Sequence, residues 1–260
     1  MKKKSIHNTL ISGLSMFCVA TILLQPTLAF AWGPNRETFT MKHPATYPTL
    51  DSITDNPDVG DELNFFRVSE AGQKGWSDTA IMQQDKEYFA RVYVRNASAD
   101  NLNLAANEVR AMINMPTRAT TWGRAFDINA YLCGSNTKPS EIWDNIVLRS
   151  NRKFHVKILS ANYYNNYRTE DTSGFPLGDS LFSTGSLLGY DKMDGTIGTS
   201  YKDSGYVLVK FVPVMKDPIT AWMEDNMLDK LSGAMTHDNG TIKLDKAPDW
   251  TTADCPTSQN

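Results

Sequence analysis

Between Lys86 and Pro116 the chain reads KEYFARVYVRNASADNLNLAANEVRAMINMP, and two runs within it alternate. Tyr88, Ala90, Val92 and Val94 fall on one side of the first run, and Val109, Ala111, Ile113 and Met115 on one side of the second. Successive side chains of a strand point to opposite faces, so a period of two puts each set on one face of a half-buried strand. A helix would scatter the same residues around its axis. The stretch predicts two strands and a polar connector, the central pair of a β-sheet.

The rest of the chain repeats the pattern. Leu63–Val68 reads as a strand, Trp76–Met82 as a short segment, and the residues around Phe39 and Ile53 as brief extended pieces. Phe126, Ile128, Ala130 and Leu132 alternate with polar neighbours, as do Phe154, Val156 and Ile158. Glu141–Ser150 has helical length, but the β-branched Ile142, Ile146 and Val147 favour a strand. Tyr163–Gly185 is polar and glycine-bearing and reads as a long loop. Leu187–Tyr190 reads as a short buried piece. Tyr206–Val214, YVLVKFVPV, is nearly apolar throughout, as a strand buried on both faces would be. Asp217-Pro218 offers an N-cap acid and a proline at the first helical position. Ile219, Trp222, Met223, Met227 and Leu231 follow at helical spacing, a stripe expected to pack on its own domain, and an irregular tail is expected from Thr236. Strands separated by turn signals predict a mainly β chain, an Ig-like antiparallel β-sandwich with a short C-terminal helix and tail. The expected division is 1–31, then 32–216 with a β extension at 32–70, then 217–260.

Residues 1–31 carry an address. Lys2, Lys3 and Lys4 precede a mostly apolar run, Leu10–Leu24, and Ala29-Phe30-Ala31 supplies small residues for cleavage after Ala31. The run is shorter than the ~20 residues a membrane-crossing helix needs. The expectation is a secreted, extracellular or cell-envelope protein with no membrane span after cleavage; the alternative is an uncleaved anchor. Loss of the three lysines takes the net charge from −3 to −6. That balance argues against nucleic acid or an anionic membrane, which call for clustered basic residues. Cys18 lies in the leader, leaving Cys133 and Cys255 as an even pair and a candidate disulfide in an oxidising compartment. A Cys133–His155 nucleophile pair has no local motif behind it.

Asp55, Asp58, Asp61 and Glu62 crowd one loop. Clustered carboxylates suit calcium, but the spacing lacks the helix–loop–helix calcium pattern, and Asn-Pro and Gly-Asp steps are ordinary turn chemistry. Asp191 and Asp194 invite the same thought. No cofactor is expected beyond that weak calcium candidate. On the other face of the Tyr88–Val94 run stand Phe89, Arg91, Tyr93 and Arg95, a candidate binding face of types enriched in interface hot spots, or else a solvated outer face. Trp76, Trp122, Tyr163, Tyr164 and Tyr167 are candidates for a sugar-binding platform. Asn96-Ala97-Ser98 and Asn239-Gly240-Thr241 fit the glycosylation sequon. No nucleophile elbow, phosphate loop, zinc helix or dinucleotide fingerprint occurs in the sequence.

Two stretches resemble known families. WGPNRETFTMKHPATYPTLDSITDNPDVGDELNFFRV looks like the opening of uncharacterised exported proteins from bacteria of the candidate-phyla type. DKEYFARVYVRNASADNLNLAANEVRAMINMP resembles the DUF11-like repeat of bacterial surface proteins, and SGYVLVKFVPV its closing strand. The resemblance implies an Ig-like sandwich in a surface protein with a structural or adhesive role, and it brings no catalytic residues. The chain carries one copy of the repeat and no L-P-x-T-G sorting signal, so covalent attachment to the wall is not expected. The expected function is non-enzymatic: structure, adhesion or binding of a cell-wall polymer, a glycan or another surface protein. A carbohydrate-binding module is the alternative, and an exported hydrolase ranks below it.

Overall fold

A 25-residue strand organises the molecule. The structure, a computed structural model, describes residues 33–118, 121–166, 174–223 and 240–244. Its strands are β1 (Phe66–Glu70), β2 (Thr79–Ile81), β3 (Tyr88–Val94), β4 (Arg110–Ile113), β5 (Gly123–Cys133), β6 (Glu141–Asn165), β7 (Phe175–Pro176), β8 (Ser186–Leu187), β9 (Gly205–Met215) and β10 (Ile242–Leu244). Among the described residues there is one short α-helix, α1, at Pro218–Met223. The fold is mainly β. Among the described residues no helix is long and apolar enough to cross a membrane.

The main order of the sheet is β1-β3-β9-β6-β5-β4-β8, with β2, β7 and β10 joined at the sides. β6 is shared between its two halves. Residues 141–149 pair antiparallel with β5, and residues 154–165 pair antiparallel with β9. The sheet also turns back on itself: Ser77 bridges Val68 of β1 while β2 pairs with residues 147–149 of β6. The backbone N–H of Phe66, at the start of β1, donates to the Asp144 carboxylate on β6 at 2.8 Å. This gives a sandwich-like enclosure in which a long strand passes from one side to the other.

The alternation on β6 explains how. Ile142, Ile146, Leu148, Phe154 and Val156 are buried at even positions, whereas Ala161 and Tyr163 are buried at odd ones. The switch occurs at a bulge: Ile158 pairs with Phe211 and Ser160 with Lys210, leaving the half-exposed Leu159 without a cross-strand partner. One extra residue flips the side-chain phase and lets the strand bend.

Several expectations need correction. The runs at 86–116 are both strands with the buried faces foreseen, Tyr88, Ala90, Val92 and Val94 on one and Val109, Ala111, Ile113 and Met115 on the other. They are not a pair. β3 lies between β1 and β9, while β4 lies between β5 and β8. Alternation marks a half-buried strand without naming its neighbour, and the connector is long enough to cross the enclosure. β9 is buried on one face, at Val207, Val209 and Phe211; Tyr206, Leu208 and Val212 on its other face are partly exposed. Tyr163, Tyr164 and Asn165 extend β6 rather than opening a loop. In the tail, Ile242–Leu244 forms β10, parallel to β5. The predicted cap is present, with the Asp217 carboxylate accepting from the backbone N–H of Ile219 and Thr220. The stripe on α1 is exposed at Ile219, Trp222 and Met223; Met227 and Leu231 lie outside the described residues.

Candidate functional site

The outer face of β1, β3, β9 and β6 is set by register. Arg67, Arg91, Leu208 and Asn162 lie in one row across the four strands, and Tyr93, Tyr206 and Tyr164 in the next. Phe89 sits beside Lys210 in the row on the other side. Trp76, delivered by the turn after β1, lies under the Arg91 guanidinium at 4.5 Å from the ring centroid. Tyr164 and Tyr206 stack at 5.3 Å. Lys210 reaches the Phe89 ring at 6.0 Å and the Glu87 carboxylate at 2.8 Å.

Arg67 and Arg91 are direct cross-strand partners, a like-charge pair that destabilises unless something offsets it. Arg67 has Asp78 at 3.4 Å. Among the described residues Arg91 meets the indole and no carboxylate, its Nε has no hydrogen-bond partner there, and burial followed by the Arg67 charge lowers its pKa. The face therefore presents a partly dehydrated cation between aromatic rings, an arrangement that accepts an anionic or hydrogen-bond-accepting group.

The other half of the predicted binding face is closed. Tyr93 and Arg95 are each 7% exposed. Segment 39–62 covers them and brings in a buried polar cluster. Arg95 Nη1 stands 3.7 Å from Glu62, which is wholly buried. The Glu62 carboxylate also accepts from Asn56 Nδ2 at 2.6 Å and from the Ile53 N–H at 3.1 Å. Asp51, with a left-handed φ of 41°, aims its carboxylate at the Arg95 backbone N–H at 2.8 Å. Arg36 donates to the Asp51 carbonyl at 2.8 Å. Burial pushes the Glu62 carboxyl up to about 7 and Asp51 well above its usual range. Asp144 is also raised to about 7 by burial, and it holds the N–H groups of Phe66 and Asn145. These carboxyls bind backbone across the fold.

The remaining candidates fall in scattered places. Asp55, Asp58 and Asp61 are exposed, and Glu62 turns inward away from them. Asp55 accepts from the Met41 N–H, Asp61 from the Leu63 N–H, and the Asn56 carboxamide from the Asp58 N–H, which is turn chemistry. Asp194 likewise accepts from the Thr196 N–H. Among the described residues no group of three or more His, Cys, Asp or Glu is arranged to hold a metal. Cys133 is fully buried and disulfide-bonded; Cys255 lies outside the described residues, as do Ala31 and the leader. Cys133 opposes Glu141 at the start of β6 whereas His155 opposes Val214, so the two do not form a nucleophile pair.

The four sugar-platform candidates among the described residues do not form one platform. Tyr163 is fully buried, Trp76 lies by Arg91, Trp122 meets His155 edge-on at 4.7 Å, and Tyr167 lies outside the described residues. Asn96 is buried, and its amide donates to the carbonyls of Leu104 and Ile197, so this sequon is closed in the folded chain. Sequence reasoning missed Arg67, Tyr206 and the sealing role of Asn56 and Asp51. Only cross-strand register links the first two to Arg91, and register is not written in any single strand. In comparisons with protein-family models, curated proteins and solved structures, nothing matched the chain.

Proposed function

We propose that the protein is a non-enzymatic, exported module of the bacterial cell envelope, an Ig-like sandwich of the DUF11-like kind, that binds a partner through the outer face of β1, β3, β9 and β6. The observation that carries this reading is the Trp76–Arg91–Arg67 group, half-open on the sheet and flanked by Phe89 and Tyr206. Interface hot spots favour Trp, Tyr and Arg in such settings. The partner we favour carries anionic groups, as an acidic cell-wall polymer does, because among the described residues no carboxylate pairs with Arg91. The basic start, apolar run and Ala29-Phe30-Ala31 support export. A binding rather than catalytic role is supported by the use made of the shifted carboxyls: Asp51, Glu62 and Asp144 each hold backbone N–H groups in the interior.

Sedimentation of the purified protein with cell-wall polymer, in wild type and Arg91→Ala, tests this. Saturable binding that weakens at least ten-fold in the variant supports the reading; equal binding by both sinks it. A glycan is the second reading, favoured by a polar groove of about 380 Å³ that Trp76 lines with Glu70, Gln73, Ser77, Thr79 and Gln83. Neutral oligosaccharides that protect this groove, with no effect of Arg91→Ala, would select it.

A further inference from the structure

The edge of β5 has two successive partners. β4 runs beside Ala130–Cys133 and ends at Ile113, with the Asn114 N–H donating to the Asn129 carbonyl. The chain then leaves: the Pro116 carbonyl accepts from the Val156 N–H on β6. Phe126–Ile128 would be left as an open edge directly over the core, since Phe126 and Ile128 are fully buried. Open edges are templates for another strand. Here the place is taken by Ile242–Leu244, parallel and in register with Phe126–Ile128.

The seat is shaped for its occupant. Ile242 and Leu244 pack on the main core while Lys243 faces outward, the alternation a strand needs. A Cβ at Gly123 would stand 2.7 Å from Ile242 Cδ1 and 2.9 Å from Phe126 Cζ, so the glycine makes the socket for the Ile242 side chain. No hairpin turn dictates this pairing, because the partner strands are far apart in sequence. It spans only three residues. Residues 224–239 connect α1 to this segment and reach roughly 50 Å when extended, far enough for the segment to seat on a neighbouring molecule as well as its own.

We propose that the β5 edge from Gly123 to Ile128 is a strand-acceptor slot, filled within the chain by Ile242–Leu244 and open to the same segment of a second copy. Copies exchange the segment and become linked, a strand-swapped association that is independent of the face around Arg91.

The test vacates the slot in the full chain with Ile242→Asp and Leu244→Asp and adds a labelled peptide of residues 238–247. Saturable binding at least ten-fold tighter than a scrambled peptide supports the slot. If the double variant is too unstable to titrate, added native peptide raises its melting temperature. Failure of the native peptide to outdo the scrambled one in either measurement overturns the slot. Native mass spectrometry of concentrated wild-type protein then reads the exchange between copies. Dimers present in wild type and lost in the double variant support it, and a wild type that stays monomeric while the slot binds peptide overturns that part.

Discussion

The two ends of one stripe on β3 have opposite fates. Phe89 and Arg91 stand half-open beside Trp76 and Lys210, whereas Tyr93 and Arg95, next along the same face, are sealed under segment 39–62. In both places an arginine meets a group that stabilises its charge. At the open end it is an indole in partial contact with water; at the sealed end it is a carboxylate wholly removed from water. The difference is one of dielectric surroundings. A buried pair tolerates no missing member, while an exposed contact is worth little to stability and is free to be used in binding.

The largest effect is expected at the sealed end. Arg95→Ala leaves Glu62 buried without its cation and should cost about 3 kcal/mol near pH 8, less where Glu62 takes up a proton. Urea unfolding at two pH values measures both. A loss under about 0.5 kcal/mol would show that the two ends do not differ.

Next comes pH. Glu62 and Asp144 rise from 4.5 and 3.8 to about 7 in the folded state, so the native protein holds these protons more tightly than the unfolded chain. The stability they contribute is fully present below the unfolded values and is lost as pH rises through about 7. The melting temperature should be higher near pH 5 than near pH 8, and Asp144→Asn, which cannot lose a proton, should flatten that slope. An unchanged slope would remove Asp144 from the account.

At the open end, Trp76→Ala removes the cation–π contact and should lower stability by only about 0.5–1 kcal/mol while weakening partner binding as Arg91→Ala does. The smallest effect belongs to Lys210→Ala. Its pair with Glu87 has side chains 32% and 45% exposed, and its loss should change stability by about 0.2–1 kcal/mol, vanishing in high salt.

Much of the fold was legible. The buried faces of β3, β4 and β5 follow from alternation alone, and the cap of α1 from Asp217-Pro218. The candidate site was half legible. Phe89 and Arg91 could be placed on one face with Tyr93 and Arg95, but that the latter pair lies under Asn56 and Glu62 depends on contacts across distant sequence. Glu62 looked like a loop carboxylate because nothing in DNPDVGDEL separates an inward acid from three exposed ones.

What the sequence by itself determined is local: which residues form strands, which side of each strand is apolar, and where a turn or a cap begins. These depend on periodicity and backbone chemistry within a few residues. Pairing was decided by tertiary structure. β3 and β4 part company, β6 changes phase at Leu159 to serve both sides, and Ile242–Leu244 finds β5. Hydrogen bonds between strands are chemically alike, so their partners are selected by the packing of the whole core and by which edges remain unfilled.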